Sequence, residues 1–169
     1  MVLKIFILSL ALIFSLPEDP SSLYAITKKR ADKFLNKYWQ DEEYNLSRVN
    51  LNDINHPEIY SVQQGNSKPF AYLLFAEANS KVDTFIYLII FKPNGIIEKV
   101  SVLMYRENYG GEIASKRFLK QFEGKSNGEQ MKYNRDIDGI SGATISVQSI
   151  TLAVKEKSIA FSKLIEHIK

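Results

Sequence analysis

The sequence predicts a single α+β domain, in which an antiparallel β meander packs against helices and a long helix comes last. Two observations lead to this fold class. Segments rich in aromatic and β-branched residues follow one another between turn formers, and apolar residues at helical spacing flank them on both sides. The 169 residues, 45% of them hydrophobic, can build one core but are too few for two full domains.

The N-terminus carries the pattern of an export signal. Lys4 precedes an apolar run over residues 5–16, which Pro17 ends, and a small residue, Ala25, follows at a plausible cleavage position. The run is shorter than the roughly 20 residues that span a bilayer. We expect residues 1–25 to be a secretory signal cut after Ala25, with an uncleaved membrane anchor or a buried helix as alternatives. The protein is then expected in the periplasm or on the extracytoplasmic face of the membrane.

A helix, a loop and a series of strands are predicted next. Apolar residues at helical spacing predict the helix over 26–40, and the polar residues 41–57 predict a long loop. The predicted strands cover residues 58–63, 70–78, 82–91 and 96–105. Pro93 and Gly95 supply the turn between the last two strands, because proline presets φ and glycine accepts positive φ.

Two more helices complete the predicted domain. An amphipathic helix is expected over 113–122, before Gly124, and an apolar stripe predicts the long last helix over 144–168. We therefore divide the chain after the signal into an N-terminal helix and loop, 26–57, and a main domain, 58–169.

The composition excludes several kinds of functional site. The chain has no cysteine, which excludes disulfides, thiolate zinc sites, iron–sulfur clusters and cysteine-attached haem. Its two histidines, His56 and His167, lie far apart in sequence, and we predict no metal site. The net charge is +3 and basic residues are spread along the chain, so no nucleic-acid partner is expected. Redox chemistry would therefore need an organic cofactor.

The most informative segment is Asp138-Gly139-Ile140-Ser141-Gly142-Ala143-Thr144, directly before the predicted last helix. Glycine lets a backbone approach a ligand closely, and the first N–H groups of a helix favour phosphate because they lack intrahelical partners. The Thr144 hydroxyl could lie beside such a phosphate or be bonded to it. Ser141 or Thr144 could equally cap the helix, a common role for both residue types. From the residues alone, both interpretations stay open.

These seven residues resemble the flavinylation motif of the FMN-binding domain family, which includes periplasmic subunits of sodium-translocating NADH:quinone reductase and related electron-transport complexes. The family pattern is an aspartate, two variable residues, Ser or Thr, Gly, Ala, and the Thr or Ser that accepts FMN. This chain matches every fixed position. The resemblance implies that Thr144 carries FMN through a phosphoester. It also implies a phosphate-holding loop, recognised by the modifying enzyme, that contains Asp138, Ser141, Gly142 and Ala143.

A second segment, Tyr105 to Ile113, resembles the flavin-side loop of small single-domain members of this family. In the large complex subunits this loop usually reads Glu-Thr, a variable residue, then Gly-Leu-Gly. Glu107 and Gly110 match that pattern, whereas Asn108 replaces Thr and Gly111 replaces Leu. From the residues alone, the two glycines could form only a strand-to-helix turn. The resemblance implies flavin contacts for four residues, Glu107, Tyr109, Gly110 and Glu112.

The resemblance, which covers roughly residues 58–168, makes the main domain an FMN-binding domain and implies its function. We expect an exported flavoprotein that transfers electrons through covalent FMN. An FMN transferase, which uses FAD and a divalent metal and releases AMP, would modify Thr144, and membrane redox proteins would donate and accept the electrons. The short chain has no evident substrate domain, which favours a carrier over a stand-alone enzyme. The alternatives are a small FMN-dependent reductase and a non-flavinylated extracytoplasmic binding module.

Overall fold

A computed structural model describes residues 20–40, 42–49 and 58–168 of the chain, with side chains described as far as residue 166. The predicted apolar signal run, 5–16, lies outside these residues, as do 50–57 of the predicted loop, with His56, and the side chain of His167. In the part of the chain that the structure describes, no helix combines the length and the apolar character needed to cross a bilayer.

The centre of the domain is a five-stranded antiparallel meander, in which each strand pairs with the next along the chain. The strands are β1 (Asn45–Arg48), β2 (Glu58–Gln63), β3 (Ala71–Asn79), β4 (Thr84–Phe91) and β5 (Ile97–Tyr105). The four predicted strands are confirmed as β2 to β5. The prediction of a loop over 41–57 is wrong for residues 45–48, which form β1 and pair with β2 at the sheet edge. Most of its side chains are exposed, so it lacks the alternating apolar pattern that reveals a strand.

One face of the sheet is covered by α1 (Leu23–Tyr38). Its buried Tyr24, Ala31 and Leu35 pack in one apolar cluster with Leu73 and Phe75 of β3. The predicted helix is confirmed, but it begins three residues before position 26. The structure therefore places Ala25, the predicted cleavage position, inside a helix.

The other face is covered by α3 (Thr144–Ile168), whose predicted bounds are confirmed. The buried stripe consists of Val147, Ile150, Val154, Phe161 and Ile165. Phe161 stacks on Phe91 of β4 with ring centroids 4.1 Å apart. Alternate residues of β3 and β4 point to opposite faces of the sheet. Because helices cover both faces, both strands are buried throughout their central parts. The result is the α+β domain that the sequence predicted.

The helix predicted over 113–122 is wrong as a continuous element. The chain forms a 3₁₀ turn at Gly111–Ala114, a single α-helical turn, α2 (Lys116–Leu119), and a second 3₁₀ turn at Lys120–Phe122. Ser115 has an extended backbone, with φ −67° and ψ 138°, and separates the first two. The apolar pattern is still satisfied, because Ile113, Phe118 and Phe122 all enter the core.

Candidate functional site

The attachment loop, residues 138–143, leads directly into α3. Gly142 has φ +82°, a left-handed conformation that glycine adopts without strain. The helical ladder begins with the bond from Val147 N to Ala143 O at 2.9 Å. The N–H groups that precede it on α3 therefore have no intrahelical acceptor and lie at the positive end of the helix dipole. The exposed side chain of Thr144 stands among them.

The capping alternative does not fit this helix start. The N-cap position holds Ala143, whose side chain has no oxygen, and Thr144 is the first helical residue. Ser141 lies two residues before the cap and is exposed, as is Thr144. Both hydroxyls are therefore accessible to a ligand or to a modifying enzyme.

A cavity of about 510 Å³, the first cavity, lies beside Thr144. It is lined by the start of α3, by the hairpin tip between β3 and β4 (residues 80–83), and by the ring loop after β5 (residues 105–110). Its size falls in the range of cofactor sites, roughly 300–1,000 Å³. Six of the predicted site residues line it, Glu107, Tyr109, Gly110, Gly142, Ala143 and Thr144.

The other three predicted site residues, Glu112, Asp138 and Ser141, line a second cavity of about 540 Å³. Arg117 and Gln121 share this cavity, and Gln121 Oε1 accepts a hydrogen bond from Asp138 N at 2.8 Å. The attachment loop thus borders both cavities, with its first residues on one and its last residues on the other. The structure does not bring the whole predicted site into one pocket.

Three hydroxyls fasten the ring loop to α3 and to the hairpin tip. Tyr105 OH donates to Tyr109 O at 2.7 Å and lies 3.0 Å from both Ser80 Oγ and Ser146 Oγ. The two serine oxygens are 3.2 Å apart. Gly110, with φ +83°, packs against this hydroxyl cluster, and a Cβ there would lie 2.6 Å from Ser146 Oγ and from Tyr105 OH. A glycine is therefore needed for the ring loop to close onto α3.

Glu107 of the ring loop faces the hairpin tip. Its Oε1 accepts hydrogen bonds from Val82 N at 2.8 Å and Asp83 N at 2.9 Å. These two N–H groups hold the pKa of the Glu107 carboxyl below its usual value. The sequence analysis gave Glu107 a flavin contact, and the structure adds that its carboxylate binds the backbone of the tip.

Exposed apolar side chains gather around the first cavity. Val82 is 86% exposed, Tyr109 84% and Ile145 51%, and all three line it. Large apolar side chains that meet at one concave site are typical of a ligand-binding surface. The sequence analysis missed Val82 and Ile145, and it also missed Lys81 and Ser146, which line the same cavity.

The residues around the first cavity fit a nucleotide that joins a phosphate to a planar ring. The free N–H groups of α3 and the Thr144 hydroxyl suit the phosphate. The exposed faces of Tyr109, Val82 and Ile145 suit an aromatic ring. Both halves of such a ligand would therefore find complementary groups.

Comparison with known proteins agrees with this fit. The family model of the FMN-binding domain matches residues 79–157. That stretch contains the hairpin tip, the ring loop, the attachment loop and Thr144. A comparison with curated proteins found no match. Residues 79–157 of this chain therefore match the FMN-binding domain family, the family that the sequence motifs resemble.

Proposed function

We propose that the protein is an exported electron carrier that holds FMN through a phosphoester to the Thr144 hydroxyl. The observation that carries the proposal is the exposed hydroxyl at the start of α3, beside a cavity with an exposed Tyr109 ring. Bound FMN would supply one- or two-electron chemistry, and the protein would bind, orient and tune it. The esterified phosphate keeps one negative charge, which the N-terminus of α3 stabilises by about 0.3–1 kcal/mol.

Attachment requires an accessible hydroxyl and an activated donor. In the proposed reaction the Thr144 oxygen forms a bond to the FMN-side phosphorus of FAD. The diphosphate bond breaks, AMP leaves, and a base of the transferase takes the hydroxyl proton. A Cβ at Gly142 would meet no atom within 4 Å, so the backbone here is open to an approaching phosphate.

We propose that the export signal is cut before Ser22 or kept as a tether. Ser22 Oγ accepts a hydrogen bond from Ala25 N at 3.0 Å and caps α1. Glu58 Oε2 accepts a second from Tyr24 N at 2.8 Å. Tyr24 is also buried against the sheet. Cleavage after Ala25 would remove the cap and this buried ring, so a cut nearer the N-terminus keeps the fold intact.

Mass spectrometry tests the attachment. Protein co-expressed in the periplasm with an FMN transferase should gain the mass of one FMN phosphoester, mapped to the peptide with Thr144. Thr144→Ala should gain none and keep its fold, because the side chain is exposed. Thr144→Ser should regain it, since a serine supplies the same nucleophile. Covalent flavin on Thr144→Ala, or a bare wild-type chain, would refute the assignment.

A second measurement separates a carrier from a reductase. The flavin of the modified protein should be reduced and reoxidised by membrane redox proteins at rates that soluble small molecules do not approach. Steady turnover with a soluble organic substrate would instead establish the small FMN-dependent reductase.

A further inference from the structure

The hairpin tip, residues 80–83, takes no part in the attachment reaction proposed above, yet Lys81 and Val82 line the first cavity beside Thr144. We propose that the tip is one wall of the FMN site. Val82 contacts the flavin ring, and Lys81 supplies a positive charge that stabilises the reduced ring. This inference rests on the FMN attachment proposed above.

The ring loop holds the tip from one side. Glu107 Oε1 binds the N–H groups of Val82 and Asp83, at 2.8 and 2.9 Å. Arg106 Nη1 donates to Thr84 Oγ1 at 2.8 Å, directly after the tip. Side chains of the ring loop therefore hold the tip at Val82 and at the two residues that follow it.

The start of α3 holds the tip from the other side. Ser80 Oγ lies 3.2 Å from Ser146 Oγ and 3.0 Å from Tyr105 OH. Ser149 Oγ donates to Asn79 O, immediately before the tip. Two side-chain contacts thus join the helix that carries Thr144 to the turn that carries Lys81 and Val82. A wall of a binding site needs this kind of support, since loosely held side chains orient a ligand poorly.

Val82 is held in place without being buried. It is 86% exposed, although the backbone N–H groups at its own position and the next are both bonded to Glu107. Tyr109 and Ile145 are exposed around the same cavity. A planar ring in the cavity would cover apolar surface on all three, which gives these exposed side chains a common ligand.

Among the described residues that line the first cavity, Lys81 is the one cation and Glu107 the one carboxylate. Oε1 of that carboxylate is already engaged by the tip backbone. Two electrons and one proton from a reduced partner protein add one negative charge to the flavin ring. A cation at the cavity wall lowers the free energy of that state, and salt screens the effect because the site is open to solvent.

The test compares matched variants of the flavinylated protein. Lys81→Gln is paired with Lys92→Gln, an exposed lysine in the β4–β5 turn and outside the cavity lining. Val82→Ser is paired with Leu152→Ser, an apolar residue that is 56% exposed on α3 and likewise outside that lining. Mass spectrometry first establishes that each variant carries FMN. A wild-type chain without covalent FMN would refute the proposed function, whereas the measurements on the variants address the tip alone.

Lys81→Gln should lower the flavin midpoint potential, whereas Lys92→Gln should leave it unchanged. At a fixed potential we expect a fivefold fall in the ratio of reduced to oxidised flavin, which corresponds to about 20 mV for a two-electron couple. The difference in potential between Lys81→Gln and wild type should become smaller in high salt. Val82→Ser should increase iodide quenching of the flavin fluorescence relative to wild type and to Leu152→Ser. Equal potentials for the two lysine variants, or equal quenching for the two serine variants, would overturn the corresponding half of the proposal. A Lys81→Gln variant with reduced FMN attachment and unaltered potential would also overturn it, because the lysine would then serve the phosphate.

Discussion

Replacing Gly110 by alanine tests whether close packing against the hydroxyl cluster sets the position of the ring loop. Gly110 has φ +83°, and an L-residue held in the left-handed region costs about 1–2 kcal/mol. A Cβ at this position would lie 2.6 Å from Ser146 Oγ and from Tyr105 OH. Both oxygens are held by mutual hydrogen bonds, so they cannot simply rotate away, and overpacking adds about 1–3 kcal/mol. We expect Gly110→Ala to lower the free energy of unfolding by about 2–5 kcal/mol.

The matched control for this substitution is Gly124→Ala. Gly124 has φ +80°, and a Cβ there would meet no atom within 4 Å, so only the conformational cost remains. Urea unfolding of wild type and both variants gives the three free energies. Gly110→Ala should be the less stable variant by about 1–3 kcal/mol, the overpacking alone. If the two variants agreed within about 0.5 kcal/mol, the hydroxyl cluster would not constrain the ring loop, and the packing argument would fail.

Three further perturbations test single contacts. Because the Glu107 pKa is lowered in the fold, its carboxylate stabilises the protein above the ordinary value of 4.5, and this is lost as pH falls through the lowered pKa. When urea unfolding is repeated at a pH below the lowered pKa, wild type should therefore lose more stability than Glu107→Gln. Equal losses of stability in the two proteins would contradict the hydrogen bonds assigned to Glu107. Tyr87→Phe removes a buried hydroxyl that has no partner among the described residues, so thermal unfolding should show equal stability or a gain of about 1 kcal/mol. A chain that begins at Ile26 should be less stable than one that begins at Pro20 by about 3 kcal/mol or more, because it lacks the buried Tyr24 ring. Equal stability of these two chains would make cleavage after residue 25 compatible with the fold.

The elements that the sequence predicted well have a continuous, strongly patterned core face. α3 has an apolar stripe along its whole length, and β2 is a short segment bounded by turn formers, so the predicted ends of both match the structure. β1 and the broken segment around α2 were predicted wrongly for a different reason. β1 is defined by its pairing with β2 rather than by burial, and the break at Ser115 leaves the apolar pattern unchanged. The spacing of apolar residues along a sequence does not reveal which strands pair or where the backbone breaks.

The burial of β5 also departs from simple alternation. An unbroken strand would bury every second residue on one face. In the structure Ile97 and Val100 lie three positions apart, yet both are buried on the α3 face. The pairing of β4 with β5 contains two register shifts, between Ile86 and Tyr87 and between Ile90 and Phe91. Each shift resets the face that the following residues present, and a single sequence gives no signal for it.

In the candidate site, too, some residues could be predicted from sequence patterns, whereas others are brought to the site by strand pairing. Thr144 and the ring loop were identified by their resemblance to a known motif, whereas the sequence analysis gave Lys81 and Val82 no role. A turn buries little apolar surface, so the spacing of apolar residues gives no information about its role. The order of the meander is informative, however, because the end of β3, the start of β4 and the end of β5 must lie at one edge of the sheet.

The observed pairs show this edge directly, with Asn79 opposite Thr84 and Phe85 opposite Tyr105. Any antiparallel pairing of these three strands therefore places the hairpin tip beside the ring loop. The remaining condition is that α3 begins at the same edge, and the contact between Ser146 and Ser80 meets it. A change that shifts the β3–β4 register should consequently disturb the flavin environment without touching any residue of the attachment loop.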